Sequence, residues 1–293
     1  MSLIGIVTVL YRSESVLDDY FKSLSEQTFN KFILYVVDNL SPDKSLKKSY
    51  ELAEKYKESF VTRIIENDDN YGVAKGNNIG IQQAFEDKCD YILLSNNDVE
   101  LKADTIEILY NKLTSESVDV VIPKIFFYDQ PLIWYAGGRF RHIFGSTTHT
   151  GYLKPDTGKW DDFKLVDYAP TCFALIHRKV FDKVGLFDEK YFVYYDDTDW
   201  MYRCKKAGIK MGYVPESVLW HKESTSTGGM TSDFYIKYNY RNQVYFCMKH
   251  YSISRNIIAL IANFTYYILY KRKFFNREKK QLLYTAIKEG FRM

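Results

Sequence analysis

The sequence predicts an α/β fold built on a mostly parallel, doubly wound central sheet flanked by helices, with a helical appendage at its C-terminal end. Three observations carry this reading. Through residues 1 to about 100, short apolar runs of strand length alternate with stretches of helical period, the mark of strand–helix–strand units. Clusters of Asn, Asp and Gly follow the second, third and fourth strands, where open α/β sheets form ligand crevices. Beyond residue 231 the strand signals stop and the chain reads as helical, aromatic and basic.

The elements follow in order. Residues 4–11 form a short apolar run, read as a buried strand. Val16, Leu17, Tyr20, Phe21 and Leu24 then recur at helical spacing, with Ser13 as the expected cap. Residues 32–37 make a second strand, closed by Asp38-Asn39 and the turn residues Ser41-Pro42-Asp43. Helix is expected over 46–56, strand over 61–65, a glycine-led helix over 72–85 and strand over 91–94. The alternation then weakens. Residues 118–123 read as strand, 133–144 as a bent strand pair broken by Gly137-Gly138, and 154–164 as a polar surface loop. Strand returns over 166–177 and a short helix over 179–184. An amphipathic helix over 196–207 turns Trp200, Met201 and Cys204 inward. Two short strands, 209–214 and 218–220, precede a Ser/Thr/Gly-rich loop at 224–229, expected to be flexible. Each polar cluster alone is explained by turn chemistry; three at equivalent strand ends favour a ligand crevice.

Composition narrows the function classes. A net charge of +3 over 293 residues gives no footprint for nucleic acid. The 26 Tyr and 20 Phe fit aromatic cores, sticky ligand surfaces or a membrane-facing patch. Cys89, Cys172, Cys204 and Cys247 form no C-x-x-C pair, so buried free thiols are expected. Met1-Ser2-Leu3-Ile4 runs straight into the first strand, so no signal peptide is read and a cytoplasmic chain is expected. The apolar stretch 257–270 is shorter than the ~20 residues of a spanning helix. It is flanked by Arg255, Lys271, Arg272, Lys273, Arg277, Lys279 and Lys280. Two readings stand for it: a helix lying on the inner face of the cytoplasmic membrane, or one packed on the chain itself or on a second subunit of a homodimer.

Several runs, in order, resemble family 2 glycosyltransferases, and in particular their rhamnosyltransferase-like branch. Val36-Val37-Asp38-Asn39 with Ser41 and Asp43 resembles "VVDNxSxD", and the run from Asn70 to Gly80 resembles "NxGfAxGNNxGi". The run from Leu94 to Val99 stands at "LNPDV", that from Trp134 to Gly138 at "yaGG", and Gly185-Leu186-Phe187-Asp188-Glu189 at "GxFDE". Asp196-Asp197-Thr198-Asp199 stands at "EDxD", His221 follows in the family's order, and Tyr240-Arg241-Asn242 with Lys249-His250 resembles "RN…KH". The resemblance implies the GT-A fold. In it, residues 1–100 form the nucleotide-sugar half, 101–230 the acceptor and catalytic half, and 231–293 the helical segment.

The residue types suit that chemistry. A carboxylate at a strand end, Asp38, accepts hydrogen bonds from a base or ribose, and the resemblance assigns it that role. It extends the donor site to Thr8, Tyr11, Gly72, Gly76, Asn77, Asn96, Asp98 and Arg241. A divalent cation, Mn²⁺ or Mg²⁺, neutralises charge developing on the diphosphate. By resemblance Asp98 holds it in an N-x-D variant of the D-x-D motif, with His221 as a further ligand. An acceptor hydroxyl needs a base. Asp196, Asp197 and Asp199 open a helix, and the resemblance makes Asp197 the base, with Asp196 in place of the family's Glu. Clustered carboxylates raise one another's pKa, while a helix N-terminus opposes the rise. Gly72 and Gly76 are expected to let backbone approach the donor. Trp134 with Gly137-Gly138 is an aromatic beside a tight turn, for stacking on an acceptor sugar or a plain hairpin bend.

The expected activity is inverting transfer of a sugar, from dTDP-rhamnose or a UDP-sugar, to a glycan or lipid-linked oligosaccharide acceptor in bacterial surface polysaccharide synthesis (O-antigen or capsule). A nucleotidyltransferase is the first rival, but 10–13 lacks the glycine-rich phosphate loop that such an enzyme needs after strand one. A non-catalytic sugar-binding assembly subunit is the second.

Overall fold

A computed structural model describes residues 2–222, 232–271 and 275–293. Strands β1 (Ile4–Leu10), β2 (Phe32–Asp38), β3 (Val61–Glu66) and β4 (Tyr91–Ser95) alternate with α1 (Leu17–Ser25), α2 (Ser45–Lys55) and α3 (Gly72–Glu86). The strands pair in parallel in the order β3-β2-β1-β4. β1 and β4 are buried on both faces, which is why they read as unbroken apolar runs. β3 lies at the sheet edge and alternates exposed and half-buried residues. Ser13 does not cap α1. Val16 takes the cap position with no side-chain bond, while the Ser13 N–H donates to Ser45 Oγ at 2.8 Å, tying the exit of β1 to the start of α2.

The second half holds β5 (Val99–Leu101), α4 (Thr105–Ser115), β6 (Val120–Phe127), β7 (Leu132–Tyr135), β8 (Gly138–Arg141) and β9 (Ser146–His149). There follow β10 (Lys154–Pro155), β11 (Lys164–Val166), β12 (Phe173–His177), α5 (Arg178–Val184), α6 (Asp196–Lys206) and β13 (Met211–His221). β12 inserts antiparallel between β4 and β6 and joins the two halves into one sheet. β13 runs parallel to β6 as a single strand with an irregularity between Val214 and Val218, beside Pro215, rather than as two strands. The expected bent pair at 133–144 divides between sheets: β7 joins β6, and β8 pairs with β9 in a small separate hairpin. The run 166–177 is strand only in β11's last residue and β12; the segment between leaves the sheet. The ends of the 154–164 loop also join strands, as β10 and β11. α4 was not expected, although Ile106, Leu109 and Leu113 are buried at helical spacing. The loop at 224–229 lies outside the described residues. All four cysteines are buried and free.

The C-terminal segment forms α7 (Asp233–His250), α8 (Ile253–Tyr266), a π-helical turn (Tyr267–Lys271) and α9 (Arg277–Gly290). α9 lies close along α7: a Cβ on Gly290 would sit 2.4 Å from the Arg241 carbonyl oxygen. No helix among the described residues is long and apolar enough to cross a membrane.

Candidate active site

The ends of β1, β2 and β4 form one wall. Asp38 closes β2 opposite Leu10 and is almost wholly buried. Its Oδ2 accepts the Ser41 N–H at 3.1 Å, while Oδ1 is buried without a hydrogen-bond partner among the described residues. An unpaired buried carboxylate oxygen is costly and calls for a donor from a ligand. Asn39 beside it is a clasp: its amide donates to the Gly72 carbonyl at 3.0 Å and its oxygen accepts from Asn67 at 2.8 Å. Tyr11 follows β1 and is 36% exposed at the mouth.

Asp98 and His221 meet where β5 pairs with the end of β13. His221 opposes Val99 in register, and Nε2 lies 3.2 Å from Asp98 Oδ1. Burial pushes the Asp98 carboxyl up, but His221, with hydrogen bonds from it and from Asn96, holds it below the usual range. Asn96 is exposed beside it.

The three acids of α6 are presented by strained backbone. Tyr194 (φ 62°) and Tyr195 (φ 67°) are consecutive left-handed residues with side chains, each costing about 1–3 kcal/mol. Asn242 of α7 holds them: its amide donates to the Val193 and Tyr194 carbonyls, both at 2.8 Å. The Tyr195 hydroxyl donates to the Gly145 carbonyl at 3.0 Å. Asp196 and Asp197 then open the helix. Burial first, and the Asp197 charge second, push the Asp196 carboxyl up. Burial also raises Asp197, against hydrogen bonds from the Tyr168 hydroxyl and from Thr198 that favour its charged form.

Asp199 stands apart. It is fully buried and its oxygens are engaged by Arg203 at 2.9 Å, Lys249 at 2.8 Å and His250 at 2.7 Å. Burial alone would raise its carboxyl, but the bonds from His250 and Lys249 and the charges of Lys249 and Arg203 bring it down to about 2. Lys249 also reaches Asp188 at 2.7 Å, so the "FDE" and "KH" runs meet here. With no oxygen to spare for an acceptor, Asp199 is a structural hub, which corrects its grouping with the catalytic acids.

A line of rings connects the two chemical centres. Trp134 sits edge-on to His221 at 4.8 Å and to His149 at 4.4 Å; His149 stacks on Tyr168 at 6.0 Å; and the Tyr168 hydroxyl binds Asp197. Burial, followed by the charges of Asp98 and Asp197, raises the Cys172 thiol.

Other expected site residues are placed differently. Thr8 is fully buried in β1, below the wall, with the Asn97 amide 3.5 Å from its hydroxyl, so it is not at a donor surface. Gly72 and Gly76 serve internal packing. A Cβ on Gly72 (φ +77°) would lie 2.2 Å from the Phe192 carbonyl oxygen, and one on Gly76 would lie 2.9 Å from Val9. Asn77 is buried in α3. The Arg241 guanidinium donates to Asn242 Oδ1 at 2.8 Å and to the Lys190 carbonyl at 3.3 Å. Trp134 is buried behind His221 rather than open to a sugar. Gly137 (φ +104°) and Gly138 make the bend from β7 to β8, where a Cβ on Gly138 would meet the Tyr168 carbonyl at 2.6 Å. Sequence reasoning missed Tyr168, His149 and the roles of Asn242, Lys249 and His250.

The glycosyl transferase family 2 model matches residues 5–185, more than half of the chain. The chain belongs to this family. Among its relatives is the low-salt glycan biosynthesis hexosyltransferase Agl10 of Haloferax volcanii, 25% identical over 82% of this chain and 74% of that one. Another is the dTDP-rhamnosyl transferase RfbF of Shigella flexneri, 26% identical over 52% of this chain and 49% of that one. Among solved structures, S. aureus TarS 1–349 in complex with UDP-GlcNAc superposes with TM-score 0.64 and 14% identity, over 98% of this chain and 80% of that one. GalNAc-T7 with UDP, GalNAc and Mn²⁺ gives TM-score 0.65 and 17% identity over 85% of this chain, which spans about half (48%) of the GalNAc-T7 chain. The fold is therefore GT-A, and the chain is a glycosyltransferase of the type that acts with nucleotide sugars.

The residues present fit a divalent cation. Among the described residues no three His, Cys, Asp or Glu gather as a metal group. Asp98 and His221 supply one hard oxygen and one imidazole, which leaves positions for diphosphate oxygens and water.

Proposed function

We propose that this chain transfers a sugar with inversion from a nucleoside diphosphate donor, dTDP-rhamnose or a UDP-sugar, to a glycan hydroxyl in surface polysaccharide assembly. The carrying observation is that a line of contacts, from His221 through Trp134, His149 and Tyr168, links the Asp98–His221 pair to Asp197, whose carboxyl is raised by burial. Residues 1–100 bind the nucleotide and 101–230 the acceptor. Asp38 Oδ1 takes an N–H or hydroxyl of the nucleoside, and Tyr11 stacks at the mouth. Asp98 and His221 hold the cation, which when bound supplies positive charge for the departing diphosphate. Asp197 takes the proton from the acceptor hydroxyl as its oxygen attacks the anomeric carbon. A raised carboxyl is suited to that role near neutral pH. One base and one displacement invert the configuration.

The test is turnover and calorimetry with a panel of nucleotide sugars, with and without Mn²⁺. Asp98→Ala should remove metal-dependent binding of the nucleoside diphosphate. Asp197→Asn should keep donor binding and lower transfer by ~10²–10⁴-fold. Near-normal turnover of Asp197→Asn sinks the assignment of the base. Release of pyrophosphate would point to nucleotidyl transfer, and silence with every donor to a non-catalytic subunit.

A further inference from the structure

The C-terminal helices break the usual rule for a helix in water. Of the fourteen residues of α8, the buried ones are Asn256 and Ala259. Its isoleucines face outward: Ile253 is 81% exposed, Ile257 52%, Ile258 54% and Ile261 61%, with Phe264 at 65%. Scattered exposed apolar residues are ordinary, but a continuous face of this kind marks an interaction surface. Beside that face, α7, α8 and α9 line a half-open cavity of about 400 Å³. Its walls include Val244, Cys247, Leu260, Leu283 and Ile287, and among the described residues the one charged side chain lining it is Lys280. That volume lies within the roughly 300–1,000 Å³ of ligand sites.

Charge says what covers this surface. Residues 253–293 carry nine Lys and Arg against two Glu, a net of +7. The whole chain is +3, so residues 1–252 carry a net of −4. The positive charge is thus segregated onto the segment that exposes the isoleucines. Two copies meeting through this face would bring two segments of +7 together, at an electrostatic cost. An anionic lipid leaflet offers the opposite charge and an apolar layer beneath it.

We infer that the α8 face lies on an anionic lipid surface and that the α7–α8–α9 cavity takes one hydrocarbon chain of a lipid, with Lys280 meeting its anionic head group. The isoleucines enter the boundary between head groups and acyl chains, and the basic residues around them supply a salt-screened attraction. The reading is independent of the donor, the acceptor and the base.

The experiment uses the full chain, because α9 is packed on α7 and removing it would strip α7 as well. Flotation is measured with vesicles of phosphatidylcholine alone and with phosphatidylglycerol added, at about 0.05 M and about 0.5 M NaCl. The expected result is binding to the anionic vesicles only, weakened by salt. Ile257→Asp/Ile261→Asp, at two solvent-exposed positions, should lower it roughly tenfold or more while the circular dichroism and donor binding stay unchanged. A monomeric fluorescent fatty acid should titrate to one site per chain, and Lys280→Glu should weaken it. Equal binding to neutral vesicles, no binding at low salt, or no saturable fatty-acid site would overturn the inference. A concentration-dependent sedimentation mass that the Ile257→Asp/Ile261→Asp variant abolishes, without flotation, would assign the face to a second copy instead.

Discussion

Asp199→Asn should lower the stability of the fold by about 2.5 kcal/mol at pH 7. Asparagine has the shape of the protonated acid, so the substitution removes the charge and little else. In the folded chain the Asp199 carboxyl sits at about 2, against 3.8 for a free one. A folded-state value below the unfolded one means that folding is favoured while the group is ionised. The difference of 1.8, at 1.36 kcal/mol for each, gives the ~2.5 kcal/mol. No screening discount applies to Asp199 itself, which is 0% exposed, although Lys249 is 26% and Arg203 21% exposed. The stabilisation is fully present above about pH 5, falls to about half near pH 3, and is gone below about pH 2. Urea unfolding of both chains at a series of pH values measures it. At pH 7 the variant should melt about 5–10 °C lower, and the two curves should converge as the pH falls. Equal stabilities at pH 7 would refute the reasoning, because the cost of burying the ions would then cancel their attraction.

Tyr168→Phe removes the hydroxyl that donates to Asp197. The carboxyl should rise further, and the acid limb of the kcat/KM profile should move about one unit to higher pH while donor affinity holds; an unmoved limb would dismiss Tyr168 as a positioning residue. Gly72→Ala adds a Cβ that meets the Phe192 carbonyl oxygen at 2.2 Å on a φ of +77°. A loss of roughly 2–4 kcal/mol in urea is expected, together with slower transfer as the 192–195 backbone shifts; a stability change under about 0.5 kcal/mol would contradict that packing.

The fold of residues 1 to 100 was legible because each buried strand and each amphipathic helix writes its own period locally. The insertion of β12 antiparallel between β4 and β6 was not, since strand order is decided by contacts far apart in sequence. Asp98, His221 and Asp197 stood out by the order of motifs around them. Tyr168 did not, being one tyrosine among 26 with its partner 29 residues away. Sequence shows the α6 acids together, while two of the three basic groups that claim Asp199, Lys249 and His250, come from α7, some 50 residues on, the third being Arg203 one turn along α6. For Arg241 the motif fixes the residue's identity but not the direction of its side chain, which turns to Asn242 and the Lys190 carbonyl.

Helix α7 works on two sides. One carries Asn242, Lys249 and His250, which restrain the strained turn and the hub beneath the base. Another lines the C-terminal cavity through Tyr240, Val244 and Cys247. The C-terminal helical segment is therefore not a detachable module that a chimera could exchange like a cassette. A swap made at the start of α7 discards the brace of the acids along with the surface it was meant to replace. Grafts between relatives should keep α7 with the catalytic half it holds and change partners only beyond Tyr251.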